Sequence, residues 1–96
     1  MRTTYLVCYD IANSKRLHRV FKACKRHGDH LQFSVFECDL NLSELTQMQR
    51  ELGEIIAHNE DQVLFISLGR SESRGDRAIV ALGLPYLKLD APCYVV

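Results

Sequence analysis

The sequence predicts a single α+β domain in which two helices cover one face of an antiparallel β-sheet. Three observations support this prediction: the chain has only 96 residues, 47% of them are hydrophobic against 25% charged, and strand-like and helix-like segments alternate. A chain of this length forms one domain, here 1–96, rather than two. Its core is modest, so association with a second copy is a natural way to bury more surface.

The first strand is predicted at residues 3–10 (TTYLVCYD), which are β-branched and aromatic without polar alternation. It ends at Asp10, and Asn13 or Ser14 can cap the helix that follows. That helix covers residues 15–27. An apolar stripe with helical spacing marks one of its faces: Leu17, Val20, Phe21 and Cys24. A basic stripe marks another: Lys15, Arg19, Lys22 and Arg26.

Residues 30–39 (HLQFSVFECD) are extended, but both alternating sets contain bulky apolar residues. The pattern fits either one kinked strand or a tight hairpin that turns near Phe33 and Ser34. Asn41 followed by Glu44 predicts a capping box, which begins a second helix that runs to about residue 58.

The remaining segments are a buried strand at 62–68, a polar loop at 69–77, a short strand at 78–82 and a last edge strand at 93–96. Strand, helix, strand (single or split), helix and strand in this order predict a ferredoxin-like, or split βαβ, sandwich with an extra C-terminal strand. The sheet face without helices needs a cover. We therefore expect a homodimer packed through the sheets, with the tail 84–96 contacting the partner subunit.

Several function classes are disfavoured by composition. No apolar run approaches the roughly 18–20 residues that a membrane span needs, so we expect a cytoplasmic protein without a membrane partner. The four cysteines have no C-x-x-C pair, and the histidines have no ligand spacing, so a zinc site is not favoured and the thiols are expected to be reduced. They are Cys8, Cys24, Cys38 and Cys93, and the histidines are His18, His27, His30 and His58.

A net charge of zero conceals a polarised sequence. Residues 1–28 carry seven basic residues against Asp10, whereas residues 29–61 carry eight acids against Arg50. This asymmetry indicates one basic face for a polyanion and one acidic face for another partner. Asp10 could hold a divalent cation at the helix N-terminus while Arg16 or Arg19 holds phosphate oxygens. The simpler interpretations are a strand-end acid and a solvated helix face.

Four motifs together carry a family resemblance: Tyr9-Asp10-Ile11, Lys15-Arg16-x-x-Arg19-Val20, Gly28, and Gln32-Phe33-Ser34-Val35-Phe36-Glu37-Cys38. With them the chain resembles the CRISPR-associated endoribonuclease family, the small universal Cas protein that partners the Cas integrase in spacer acquisition. The resemblance runs from the first strand to the last, and its specific motifs lie in residues 5–40.

The resemblance implies a ferredoxin-like homodimer with a pair of aspartates across the interface and Mg²⁺ or Mn²⁺ as the metal. Asp10 matches the metal-binding and catalytic acid. The other implied catalytic-site residues are Tyr9, Ser34 and Phe36. The expected nucleic-acid contacts are Lys15, Arg16, Arg19, Lys22, Arg26 and His30. His30 stands where many relatives have arginine, so its phosphate contact would carry less charge at neutral pH.

Three functions remain open on the sequence. The first is a metal-dependent endonuclease acting on single-stranded RNA or on DNA. The second is a non-catalytic scaffold that bridges integrase dimers and prespacer DNA, with the acidic stretch 37–61 as a candidate integrase surface. The third is a different use of the same architecture, either a metabolite-binding regulatory domain or a toxin-type mRNA interferase.

Overall fold

The computed structural model describes residues 1–73 and 80–84. Four strands form one antiparallel sheet in the order β2-β3-β1-β4, and two helices lie on one face of it. This arrangement confirms the ferredoxin-like prediction. The elements are β1 (Thr3–Asp10), α1 (Ser14–His27), β2 (Asp29–Gln32), β3 (Val35–Leu40), α2 (Leu42–Ile55), β4 (Gln62–Arg70) and a 3₁₀ turn (Ser71–Ser73).

Helix α1 begins and ends at residues whose chemistry explains both boundaries. The Asn13 side chain accepts hydrogen bonds from the backbone N–H groups of Lys15 at 2.9 Å and Arg16 at 3.0 Å. Gly28 follows the helix with an extended backbone that any residue can adopt. Glycine is needed there because a larger side chain would not fit. A Cβ there would collide with the carbonyl oxygen of Glu37 and lie 2.5 Å from Cys38 Sγ. Glycine thus lets α1 approach β3 closely.

The hairpin alternative for residues 30–39 is correct, and the single kinked strand is wrong. Strands β2 and β3 are joined by a turn at Phe33 and Ser34, with a ladder irregularity between His30 and Gln32. His30 pairs with Phe36 in register, so both side chains point to the helix side and are buried. The chain reversal explains why apolar residues occupied both alternating sets of the sequence.

The core lies between the sheet and the two helices. Val7 is fully buried on β1, and it packs with Phe36 from β3, Phe21 from α1 and Met48 from α2. The predicted apolar stripe of α1 is confirmed, with Leu17 at its partly buried margin. The capping box of α2 is also confirmed, because the Asn41 and Glu44 side chains each accept the other's backbone N–H.

The C-terminal predictions need correction. Strand β4 continues to Arg70, so the predicted loop 69–77 begins as strand. Residues 80–82, which fall in the predicted strand 78–82, are not strand, and Val80 and Leu82 are exposed. The expected edge strand 93–96, the tail contact from residue 85 onward and Cys93 lie outside the described residues.

The face of the sheet away from the helices is apolar. Leu6 and Cys8 of β1 pair in register with Ile66 and Leu64 of β4. Leu64 and Ile66 are 46% and 43% exposed among the described residues. We call this surface the open face. Within residues 1–73 and 80–84, the helices are too short or too polar to span a bilayer.

Candidate active site and nucleic-acid interface

Four segments of the chain converge at one end of the sheet. Asp10 ends β1 there and pairs with Gln62 at the start of β4. The turn between β2 and β3 reaches the same end, because the backbone N–H of Tyr9 donates to the carbonyl oxygen of Ser34 at 3.1 Å. The N-terminus of α1 completes the group. We call this region the Asp10 end.

Asp10 is exposed, and its side chain makes no hydrogen bond or ion pair with the residues that the structure describes. Side chains alternate along a strand, and the neighbouring Tyr9 is buried towards the helices. The Asp10 carboxylate therefore belongs to the open face. It is an available anion at the rim of an apolar surface.

Arg16, in contrast, is not a free cation. Its Nε donates to Asp61 Oδ2 at 2.7 Å, and its guanidinium also contacts Glu60 at 3.0 Å. The Asp61 side chain has no exposed surface and accepts further hydrogen bonds from the N–H groups of Ala12 and Ala57. Arg16 thus ties the β1–α1 connection to the residues before β4. Two carboxylates therefore already engage Arg16, and its phosphate contact stays a prediction.

The same contacts explain the electrostatics of this pair. The hydrogen bond from Arg16 holds the pKa of the Asp61 carboxyl well below its usual range, and the two backbone N–H groups act in the same direction. The hydrogen bond to Asp61 likewise raises the pKa of Arg16. Sequence reasoning missed Asp61. The one feature of the sequence that could have indicated its role is that Asp61 lies just before a strand that pairs with β1.

The basic stripe of α1 divides into free and occupied members. The side chains of Lys15, Arg19 and Lys22 are exposed and form no ion pair within residues 1–73 and 80–84. Arg26 pairs with Glu51, which also lies 2.9 Å from His27 Nε2. Arg26 is therefore a weaker candidate for nucleic acid than predicted. It also lies roughly 16 Å from Lys15 along the helix axis, at 1.5 Å per residue.

The helix N-terminus offers less to a phosphate than the sequence suggested. Asn13 accepts the N–H groups of Lys15 and Arg16 with its side chain, and that of Leu17 with its carbonyl oxygen. These donors are therefore already satisfied. At the Asp10 end, the side chains of Lys15 and Arg19 are therefore the stronger candidates for a phosphate contact than the backbone N–H groups.

Three other predicted site residues belong to the core. Phe36 is fully buried, and Tyr9 and His30 are only 6% and 3% exposed. The His30 ring stacks on Phe36 with centroids 4.8 Å apart, and its Nε2 lies 2.8 Å from the Phe33 carbonyl oxygen. His30 therefore cannot reach a phosphate from this position. Likewise, Phe36 cannot line a cleft, because its ring is enclosed on all sides.

Two polar atoms in this buried cluster have no hydrogen-bond partner: the Tyr9 hydroxyl and His30 Nδ1. Burial raises the pKa of Tyr9, and the nearby Cys24 adds to the effect. The Tyr9 hydroxyl therefore gives up its proton less readily than an exposed tyrosine does. Ser34 is half-buried in the turn beside Asp10, so it remains near the candidate site.

A metal ion would need more ligands than one copy of the described chain supplies. No three His, Cys, Asp or Glu side chains within residues 1–73 and 80–84 are close enough to form a cluster. Asp61 directly precedes β4, but its carboxylate already accepts hydrogen bonds from Arg16, Ala12 and Ala57. Asp10 alone fits a cation such as Mg²⁺, which keeps water ligands and takes substrate oxygens.

Comparison with known proteins gives consistent matches. The family model described as CRISPR associated protein Cas2 matches residues 2–74. A protein of Geobacter sulfurreducens named CRISPR-associated endoribonuclease Cas2 is 41% identical over 73 residues, which cover 76% of this chain and 77% of the relative. A protein of Rhodospirillum rubrum named CRISPR-associated endoribonuclease Cas2 1 is 36% identical over 96% of this chain and 89% of the relative.

A solved structure agrees with these relatives. The crystal structure of Streptococcus pyogenes Cas2 at pH 6.5 superposes with a TM-score of 0.71 and 33% identity. The superposition covers 83% of this chain and 99% of that one.

Proposed function

Because the chain belongs to the CRISPR associated protein Cas2 family, we propose that it serves CRISPR adaptation as a metal-dependent endonuclease that cleaves phosphodiester bonds of RNA or DNA. The observation that carries the proposal is the unpaired, exposed carboxylate of Asp10 at the rim of the open face, at the end of the sheet where α1 begins with the free cation Lys15. An available carboxylate at an end of the sheet that also carries basic side chains suits a cation-assisted reaction on a polyanion. Family membership also separates the chain from the interferase and metabolite-binding alternatives.

The open face supports a homodimer. Leu64 and Ile66 would be covered if a second copy packed sheet against sheet, and a two-fold axis there would bring the two Asp10 side chains towards each other. Two like charges in one place favour a cation between them. Ile66→Glu should therefore yield monomers in light scattering. A chain lacking residues 85–96 tests whether the tail contributes to the same interface.

The Asp10 carboxylates of the two copies would hold Mg²⁺ or Mn²⁺. When bound, the metal would neutralise charge that develops on the phosphate during attack by water. Lys15 and Arg19 would bind neighbouring phosphates and fix the register of the strand. The Arg16–Asp61 pair would hold the backbone after Asp10 in place through the Ala12 N–H. Asp61 and Arg16 are therefore positioning residues.

A cleavage panel tests the nuclease proposal. Single-stranded RNA, single-stranded DNA and duplex DNA are incubated with Mg²⁺, Mn²⁺ or a chelator. Asp10→Asn should abolish cleavage while size-exclusion chromatography still shows the dimer. The matched control is Glu54→Gln, an exposed acid on α2 whose charge should be irrelevant. Cleavage by purified Asp10→Asn protein at the wild-type rate would refute the proposal.

A second candidate is a non-catalytic scaffold that bridges integrase dimers and prespacer DNA. The specific observation in its favour is that the described residues place a single unpaired acid at the Asp10 end, whereas α1 carries three free cations, Lys15, Arg19 and Lys22. This function predicts duplex binding that Asp10→Asn leaves unchanged. Replacing one of these cations with alanine should reduce the slope of log K against log salt by about 0.9 for each phosphate that the side chain neutralises.

The acidic stretch 37–61 is a weaker integrase surface than its charge suggested, because several of its acids neutralise cations of this chain. Glu44 pairs with Arg2, Glu51 with Arg26, and Asp61 with Arg16. Glu54 is exposed and unpaired among the described residues. Charge reversal at Glu51 and Glu54 should weaken a pull-down with the integrase. An unchanged pull-down would remove this surface from the scaffold hypothesis.

A further inference from the structure

The turn between β2 and β3 carries an aromatic side chain that the core does not use. Phe33 is 71% exposed, whereas Phe36, three residues later, is fully buried. Phe33 lies outside the paired residues of the hairpin. The exposed ring offers apolar area that a ligand can cover.

Phe33 lies beside the candidate site. The Tyr9 N–H donates a hydrogen bond to the Ser34 carbonyl oxygen. Asp10 follows Tyr9 and Phe33 precedes Ser34, so this bond brings the backbone of Phe33 near that of Asp10. The N-terminus of α1, with Lys15, lies at the same end of the sheet. An exposed ring, an exposed acid and a free cation therefore lie at the same end of the sheet.

The backbone of Phe33 is held firmly although its ring is exposed. Its carbonyl oxygen lies 2.8 Å from His30 Nε2, and the His30 ring packs between Phe21 and Phe36 with centroid distances of 5.1 and 4.8 Å. Because His30 is buried, it anchors the turn to the core. An aromatic ring on an anchored turn can serve as a platform for a planar ligand at little cost in entropy.

We propose that an unpaired nucleobase stacks on Phe33 while the adjoining phosphates contact Lys15 or Arg19. The inference rests on the proposed function and adds to it that the preferred ligand exposes its bases: single-stranded nucleic acid, or the unpaired end of a duplex. Every base has a flat face, so this contact does not depend on sequence. A closed duplex hides those faces and gains nothing from Phe33.

The chain contains no tryptophan, so Phe33→Trp introduces a single fluorophore at the proposed contact. The matched control is Leu42→Trp. Leu42 is 78% exposed and begins α2 after Leu40, which pairs with Thr3 at the opposite end of the sheet. The probes are oligothymidylate, oligouridylate, an abasic strand of the same length and a closed DNA hairpin, all in a chelator that prevents cleavage. Anisotropy of a labelled strand reports binding independently.

The expected result is quenching of Phe33→Trp emission by both oligonucleotides, but not by the abasic strand or the closed hairpin, and no quenching of Leu42→Trp. Phe33→Ala should weaken binding of oligothymidylate about five- to 150-fold, the range for one stacked base. Phe33→Tyr should restore binding. Because Phe33 is exposed, these variants should unfold at the wild-type denaturant concentration.

Two outcomes would overturn the inference while the proposed function stands. One is binding in the anisotropy assay without quenching of Phe33→Trp. The other is emission that changes with protein concentration alone, which would assign Phe33 to contact with a second copy. Absence of binding of any strand by the wild-type protein would instead overturn the proposed function, and this inference with it.

Discussion

Two glycines that look equivalent in the sequence should respond to alanine with opposite signs. At Gly28, a Cβ would strike the Glu37 carbonyl oxygen and lie 2.5 Å from Cys38 Sγ and 3.0 Å from Cys38 Cα. At Gly53, within α2, a Cβ has no neighbour within 4 Å. We therefore predict that Gly28→Ala destabilises the fold and that Gly53→Ala stabilises it.

The magnitudes follow from what each methyl group meets. The obstacles at Gly28 are the backbone and a fully buried thiol, so the collision is relieved only if the end of α1 moves away from β3. Forcing a group into a packed region costs about 1–3 kcal/mol, and the rigid neighbours place Gly28→Ala near about 3 kcal/mol. Gly53→Ala should gain up to about 1 kcal/mol, because alanine favours the helical backbone over the unfolded chain.

Urea unfolding monitored by circular dichroism measures both changes, with all proteins at one concentration because association contributes to stability. In a domain of this size, about 1 kcal/mol corresponds to roughly 4–8 °C in Tm. Gly28→Ala should therefore melt more than about 10 °C below the wild type, and Gly53→Ala up to about 8 °C above it. A Gly28→Ala midpoint equal to the wild type would refute the reasoning about close approach.

Three further predictions concern buried groups. The folded-state pKa of Asp61 is lowered, so the stability that its carboxylate contributes is present at neutral pH and is lost as the pH falls below about 4. The difference in unfolding free energy between wild type and Asp61→Asn should therefore narrow in acid. A difference that stays constant with pH would contradict the ionic role. Burial raises the pKa of Cys38 to about 12 and also raises that of Cys24, so mass spectrometry should find neither thiol alkylated by iodoacetamide until urea unfolds the protein. His30→Arg should lower the Tm because a guanidinium would be buried against Phe36 without an acidic partner; an unchanged Tm would show that the turn can rearrange to expose it.

The parts of the fold that depend on local chemistry were predictable. The capping box of Asn41 and Glu44 and the apolar face of α1 need only residues a few positions apart, and both are confirmed. The chain reversal at Phe33 and Ser34 was not decided, because alternation alone does not reveal where a strand reverses.

In the candidate site, too, local features could be predicted and long-range contacts could not. Asp10 could be placed at a strand end from local pattern. The occupation of Arg16 by Asp61, in contrast, depends on β4 pairing with β1 across more than fifty residues. Helical spacing placed Arg26 on the basic stripe, but it could not show that Glu51 of another helix neutralises it. Long-range partners decide which charges remain available for a ligand.

The two outer strands of the sheet present different hazards. Strand β2 has four residues and an irregular ladder, which makes it a poor template for another chain. Strand β4 has nine residues, about 30 Å of backbone, and among the described residues it pairs only with β1. A newly made chain therefore displays a long row of unsatisfied amide and carbonyl groups. The first strand that pairs with this edge of β4 decides whether the chain assembles in order or aggregates through intermolecular β-sheet.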